Sequence, residues 1–251
     1  MTPLAKPFSE IAGDSLISGK VQHDVETHGT TVLALRFDKG VILFADRRAT
    51  IGNLIMFEQA EKVMPLDDFT VVAISGSFAR SVEICRYLKH SFKYYRRAVL
   101  QELTLEGKLS EISRALAGNV EMAMNGIGVF IPIVAAYDKS TNKFGVYFFD
   151  GAGARFENGE YACAGSGSER IRGVFEYLRR TEGGFETRSL DKVLENGLQM
   201  LDIASTLDSA TGGFTRIEPI VRVLTKEGNQ SLDEKTLKAA VDKVLKAAKP
   251  L

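Results

Sequence analysis

The chain holds three histidines, His23, His28 and His90, and two cysteines, Cys85 and Cys163. A Ser-His-Asp or Cys-His hydrolase needs an imidazole to orient and shuttle a proton. A zinc site draws three or four ligands from a small set of side chains. Two of the histidines fall in the first 28 residues, a polar stretch set apart from the rest. Neither a histidine triad, nor a metal site, nor a cofactor is expected. What remains are short polar segments: Gly29-Thr30-Thr31, Ala45-Asp46-Arg47-Arg48, Glu61-Lys62, Gly165-Ser166-Gly167-Ser168 and Asp208-Ser209-Ala210-Thr211-Gly212-Gly213. They supply hydroxyls, carboxylates and an ammonium, the parts from which an activated hydroxyl nucleophile can be assembled. A Gly-Thr pair or a Gly/Ser turn is common alone; the order and spacing of all five carry the information.

The elements that must position these segments follow from hydrophobic periodicity. Thr31–Phe37 and Gly40–Ala45 are apolar, β-branched runs around Asp38-Lys39-Gly40 and predict a hairpin. Thr70–Ser75 predicts a strand ending at Gly76. Val82, Cys85, Leu88, Phe92 and Tyr95 recur at helical spacing between Ala79 and Arg97, and Leu105, Leu109, Ile112, Leu116 and Val120 mark a second helix. Strands are expected at Gly128–Tyr137, Phe144–Phe149 and Tyr161–Ala164. Helices follow from Ser168 and from Leu190, then a strand at Ile220–Leu224 and a surface helix within residues 231–249. Helices come in pairs, which argues against a doubly wound sheet with one helix per strand. The order fits an α+β fold: a four-layer α-β-β-α sandwich of two stacked, mainly antiparallel sheets, each flanked by a helix pair.

The 251 residues are 45% hydrophobic and 25% charged, a globular composition. Thirty-two Lys and Arg balance 32 Asp and Glu, so no global field collects nucleic acid or anionic lipid. No apolar run approaches the roughly 20 residues of a membrane helix, and no secretory signal opens the chain. Two cysteines are too few for a disulfide scaffold and read as reduced, partly buried thiols of a cytoplasmic protein. Residues 1–29 carry Gly13, Gly19 and Gly29 without sustained apolar period and read as a leader.

From Gly29 to roughly Leu224 the sequence resembles the β subunits of simple proteasome core particles, within the N-terminal-nucleophile hydrolases. The resemblance rests on GTT, ADRRAT followed by GN, EKV, the ISG turn, GSGS and DSATGG. It implies the same four-layer fold, a propeptide over residues 1–29 and a single catalytic domain over 30–251. It implies a threonine endopeptidase that cuts unfolded proteins and activates itself at Gly29-Thr30 on assembly. The implied partners are proteasome α subunits, other β subunits in heptameric rings and an ATP-driven unfoldase reached through the α ring; nucleic acid and membrane are not expected.

Under the resemblance each segment acquires a role. Once cut, Thr30 is the first residue, and its free α-amine, with an ordinary pKa near ~8, can serve as base for its own hydroxyl. Lys62 matches the lysine beside the nucleophile, where an ammonium favours loss of the hydroxyl proton. Asp46 matches the acid that holds it. Gly76 matches the backbone donor to the oxyanion. Ser166, Asp208 and Thr211 match supporting polar residues, with Thr211 standing where the family commonly has serine. Thr50 matches a backbone that pairs with extended substrate. Ala49, Ala60, Ile74 and Phe78 match the pocket before the scissile bond, and Met56 lies near the substrate-facing loop. All are uncharged, which suggests cleavage after apolar residues. Phe44 stands where the family often has a smaller side chain.

Three other readings compete. An inactive structural ring subunit is disfavoured by the retained Thr30, Asp46 and Lys62. A two-ring threonine protease with its own ATPase generally has a shorter chain and Asp-Gly in place of Asp46-Arg47. A small-molecule amidohydrolase fits the neutral, strand-pairing pocket less well.

Overall fold

A computed structural model describes residues 29–248 apart from Asn53 and Ile127. The predicted leader before Gly29, and Lys249 at the end of the predicted last helix, lie outside the described residues. The described residues open with the expected hairpin, β1 (Thr31–Phe37) and β2 (Gly40–Ala45), followed by a two-stranded arm, β3 (Ala49–Ile51) and β4 (Leu54–Phe57). β5 (Val63–Asp67) and β6 (Thr70–Ala73) lead into α1 (Phe78–Val99), α2 (Leu105–Ala117) and the short α3 (Val120–Met124). β7 (Ile133–Asp138), β8 (Lys143–Phe149), β9 (Arg155–Asn158) and β10 (Tyr161–Gly165) precede α4 (Ser168–Glu182) and α5 (Leu190–Leu207). β11 (Ile220–Thr225), β12 (Gly228–Ser231) and α6 (Glu234–Ala247) complete it.

Among the described residues, the strands other than β3 and β4 form two five-stranded sheets, ordered β10-β1-β2-β11-β12 and β5-β6-β7-β8-β9, in which each paired neighbour runs antiparallel. Side-chain alternation builds the layers. In β1, Val32 and Ala34 face the other sheet, while Leu33, Leu35 and Phe37 face α4, α5 and α6. In β7, Ile133 and Ala135 face the first sheet, while Val134 and Ala136 face α1 and α2. Three apolar clusters thus separate four layers, helix–sheet–sheet–helix, as the sequence predicts. Each fully buried aliphatic or aromatic side chain contributes roughly 1.5–3 kcal/mol. A one-residue slip of β1 would turn every one of its side chains to the wrong face, which fixes the register on which the site depends.

Several boundaries differ from expectation. The strand predicted over Gly128–Tyr137 starts only at Ile133. Upstream, Phe130 makes an isolated bridge to Gly76, and Pro132 has no amide to give a ladder. The second helix ends at Ala117, is capped by Gly118, and Val120 starts a separate short helix. β6 ends at Ala73 rather than Ser75. Phe44 is completely buried, and its ring packs where a Cβ on Gly197 of α5 would approach to 2.2 Å. The missing side chain at Gly197 accommodates the large one at Phe44. Cys85 and Cys163 are both buried free thiols, as expected; burial pushes Cys85 up to about 12 and Cys163 up to about 11.

Candidate active site

Sheet register gathers the polar segments at one rim. Thr31 pairs with Gly165 at the end of β10, and Val32 pairs with Ala45 at the end of β2. Thr30, Ser166 and Asp46 each lie one residue beyond these pairs, so the three are brought to the same end of the sheet. Asp208 caps the C-terminus of α5, and its turn carries Thr211 and Gly212. Lys62 immediately precedes β5 in the second sheet, and its carbonyl accepts from Ile74 N–H at 2.9 Å. The site therefore draws on both sheets and on a helix end.

At its centre the Thr30 hydroxyl donates to the Gly29 carbonyl oxygen at 2.7 Å. The Lys62 ammonium is 3.4 Å from the same oxygen. It also donates to Asp46 Oδ1 at 2.8 Å and to the Arg48 carbonyl. Thr30, Asp46 and Lys62 are all buried. Asp46 is saturated: Oδ1 also accepts from Thr31 N–H at 2.8 Å, and Oδ2 accepts from the amides of Arg48 and Gly212, each at 2.9 Å. One carboxylate thus ties together β1, the loop after β2, the turn after α5 and the lysine. Charge-assisted bonds of this kind are about twice as strong as neutral ones. Burial pushes the Lys62 ammonium below its usual 10.5, the Asp46 carboxylate pulls back up, and the Arg48 charge adds to the lowering.

A second network flanks the threonine. Ser166 Oγ donates to Asp208 Oδ2 at 2.6 Å, and Thr211 Oγ1 donates to the same oxygen at 2.6 Å. Thr31 Oγ1 lies 2.6 Å from Thr211 Oγ1 and completes the chain. Thr30 N–H reaches Ser166 Oγ at a long 3.4 Å. Backbones crowd closely here. A Cβ on Gly165, whose φ is +94°, would fall 1.9 Å from the Thr30 carbonyl oxygen, and one on Gly29 would fall 2.1 Å from the Ala210 Cβ. Only glycine fits either place.

The structure brings Gly29, Thr30, Asp46, Lys62, Ser166, Asp208 and Thr211 together. Thr50, buried on β3, accepts from Gly29 N–H at 2.8 Å through its hydroxyl and so joins them. Ala49 begins β3, and Ala60 is held by its amide to the Arg47 carbonyl at 2.9 Å. Gly76 has φ +97°, which only glycine adopts without strain; no hydrogen bond joins it to Thr30 among the described residues. Ile74 and Phe78 pack into the outer core with α1 and α2. Met56 projects from the exposed arm. Arg48, Gly212, Gly165 and Thr31 stand within the polar segments of the sequence but carried no expected role of their own. Arg48 gives its amide to Asp46 and its carbonyl to Lys62, and its guanidinium reaches the Ser209 carbonyl at 3.1 Å and Glu58 at 3.1 Å. Its signal was present as the second arginine of ADRR.

The profile of the proteasome subunit family matches residues 26–220. The chain belongs to the proteasome subunit family. Among its relatives in that family, a proteasome subunit beta of Streptomyces griseus is 35% identical over 246 residues, covering 93% of this chain and 85% of the relative. One of Acidimicrobium ferrooxidans is 33% identical, covering 90% and 80%, and one of Jonesia denitrificans is 30% identical, covering 89% and 73%.

Proposed function

We propose that this member of the family is a threonine endopeptidase of a compartmental core particle, made as a precursor that cuts its own Gly29-Thr30 bond. The observation that carries the reading is the convergence of the Thr30 hydroxyl and the Lys62 ammonium on one buried carbonyl oxygen, that of Gly29. In the cleavage Thr30 Oγ1 attacks the Gly29 carbonyl carbon and gives up its proton to a nearby base. Lys62 donates toward the oxygen on which negative charge builds. The C–N bond then breaks, the nitrogen takes up a proton, and Gly29 is left as an ester on Thr30 Oγ1. Water hydrolyses that ester, releasing residues 1–29 with a Gly29 carboxylate and leaving a free amine on Thr30.

In the mature chain, residues 30–251, that amine is the base for the Thr30 hydroxyl, with Ser166 and Asp208 orienting it. Asp46 and Lys62 keep a positive charge beside the nucleophile. Gly76 N–H serves the oxyanion of a bound substrate, and Thr50 offers its backbone to an extended peptide. The uncharged Ala49, Ala60, Ile74 and Phe78 favour apolar side chains before the cut bond, with Met56 at the approach. The subunit works with α subunits and further β subunits in stacked heptameric rings, in the cytoplasm, on proteins unfolded by an ATPase. The test is hydrolysis of a fluorogenic peptide amide with an apolar residue before the bond, by particles assembled with the matching α subunit. Thr30→Ala should lower the rate at least a thousandfold, within the range for loss of a covalent nucleophile. A rate retained by Thr30→Ala would overturn the reading.

A further inference from the structure

The turn that carries Gly76 is set by the segment packed beside it. Ile131 N–H donates to the Ser75 carbonyl at 3.1 Å, and Ser77 N–H donates to the Val129 carbonyl at 2.7 Å. Gly76 and Phe130 thus lie opposite each other as a pair that exchanges no hydrogen bond of its own. A trans peptide points its C=O and its N–H in opposite directions, so the Gly76 N–H faces away from Ile131. That is the side on which Ile74 N–H reaches the Lys62 carbonyl at 2.9 Å, the side of the Thr30 network. A Cβ on Gly76 would fall 2.1 Å from the Val129 carbonyl oxygen, so the two backbones are in close contact. The placement of residues 128–131 therefore decides the placement of the Gly76 amide.

Those residues are held from behind by one buried carboxamide. Asn119 stands between α2 and α3 and is 1% exposed. Its Nδ2 donates to the Gly128 carbonyl at 2.7 Å, and its Oδ1 accepts from Arg80 Nε at 2.6 Å. A guanidinium only donates and a carbonyl only accepts, so the two partners fix which end of the carboxamide faces which. An asparagine at a helix N-cap ordinarily accepts from an amide of the first turn. Asn119 makes no such cap bond among the described residues, and its side chain reaches across to Gly128 instead. Its backbone is pinned as well: its N–H donates to the Leu116 carbonyl at 2.8 Å, and its carbonyl accepts from Ala123 N–H at 3.1 Å.

We propose that Asn119, oriented by Arg80, is a positioning residue for the Gly76 amide. It anchors residues 128–131, and their bonds to Ser75 and Ser77 keep that amide aimed at the oxyanion. The inference rests on the proposed peptidase reading, in which the Gly76 N–H serves the oxyanion of a bound substrate. The strand that offers its backbone to the peptide, β3, lies outside this chain of contacts. Loss of Asn119 therefore acts in the transition state, lowering kcat and leaving KM nearly unchanged.

The experiment uses particles assembled with the matching α subunit, their mature chains counted by intact mass, and a fluorogenic peptide amide. Asn119→Asp keeps an acceptor for Arg80 but removes the donor to Gly128. It should lower kcat at least tenfold, short of the roughly 10²–10³ that follows loss of an oxyanion donor itself, with KM within twofold. A peptide aldehyde separates this from general loosening. Thr30 Oγ1 adds to the aldehyde carbon, the hydroxyl proton passes to the aldehyde oxygen, and that oxygen takes the oxyanion position. Asn119→Asp should weaken the aldehyde by the factor lost from kcat. It should leave the corresponding peptide alcohol, which forms no adduct, within twofold. Arg80→Leu, which frees the carboxamide to turn, should lower kcat at least threefold, and it carries the test if Asn119→Asp does not mature. Asn125→Ala removes a nearby carboxamide that bonds the Glu121 carbonyl at 2.9 Å, and should leave kcat within twofold. The inference is overturned if Asn119→Asp, or Arg80→Leu in its place, keeps the wild-type kcat. It is also overturned if alcohol binding falls as far as aldehyde binding, or if Asn125→Ala loses as much. Thr30-dependent turnover that is indifferent to Asn119 overturns this inference alone; turnover that survives Thr30→Ala overturns the peptidase reading and this inference with it.

Discussion

Lys62 Nζ lies 2.8 Å from Asp46 Oδ1, and neither side chain retains more than 1% of its exposure. Two charges withdrawn from water in this way stabilise only as a pair. Removing one partner leaves the other uncompensated, at a cost of about 3–5 kcal/mol. Lys62→Met and Asp46→Asn should each destabilise the Thr30→Ala precursor by that order in urea denaturation. The double variant should cost clearly less than the two together, though not nothing, because Asp46 also accepts three backbone amides. Strict additivity would mean that the pair does not act as one.

The depressed ammonium has a pH signature. Between the folded-state value of Lys62 and its ordinary ~10.4, the unfolded chain binds the proton more tightly than the folded one. The contribution of Lys62 to stability therefore rises with pH through that window and is level below it. The stability difference between Thr30→Ala and Thr30→Ala/Lys62→Met, followed by denaturation from neutral pH to about pH 10, should shift in favour of the lysine-bearing chain. A shift the other way would mean that the pull of Asp46 outweighs burial.

Thr211 relays between Thr31 and Asp208 through two bonds of 2.6 Å. Thr211→Val preserves shape but leaves both partners without it, and should cost about 1–3 kcal/mol by denaturation. Thr211→Ser keeps the hydroxyl and should recover most of this. A loss from serine with none from valine would point to packing of the methyl group instead of the relay.

Gly29 is pressed against Ala210, with only 2.1 Å available to a new Cβ. Gly29→Ala should push the carbonyl off the Thr30 hydroxyl and slow leader removal at least tenfold, read by gel or mass over time in assembling particles. Processing at the wild-type rate would show that this carbonyl placement does not matter.

The parts of this fold that the sequence reveals are those with strong period. The β1–β2 hairpin alternates between two cores, and α1, α4 and α5 each bury a continuous stripe. What escapes has no such pattern. β4 exposes all four of its residues, β12 is a polar edge strand, β9 is largely exposed, and β5 carries Pro65 beside a bulge. The ion pair was legible as residue types in a known order, because its partners are side chains. Gly212 and Gly165 were not, because one acts through a backbone amide and the other through a missing Cβ. Arg48 was hidden in plain sight: its carbonyl and amide do as much as its charge, and no residue type announces that.

The central claim is that Thr30 cuts the chain in front of itself. The most direct test is the intact mass of wild type and of Thr30→Ala, each co-expressed with the matching α subunit and taken from assembled particles. The account predicts that wild type begins at Thr30, with residues 1–29 gone, while Thr30→Ala keeps them. Leader retained in both, or lost from both, would contradict it.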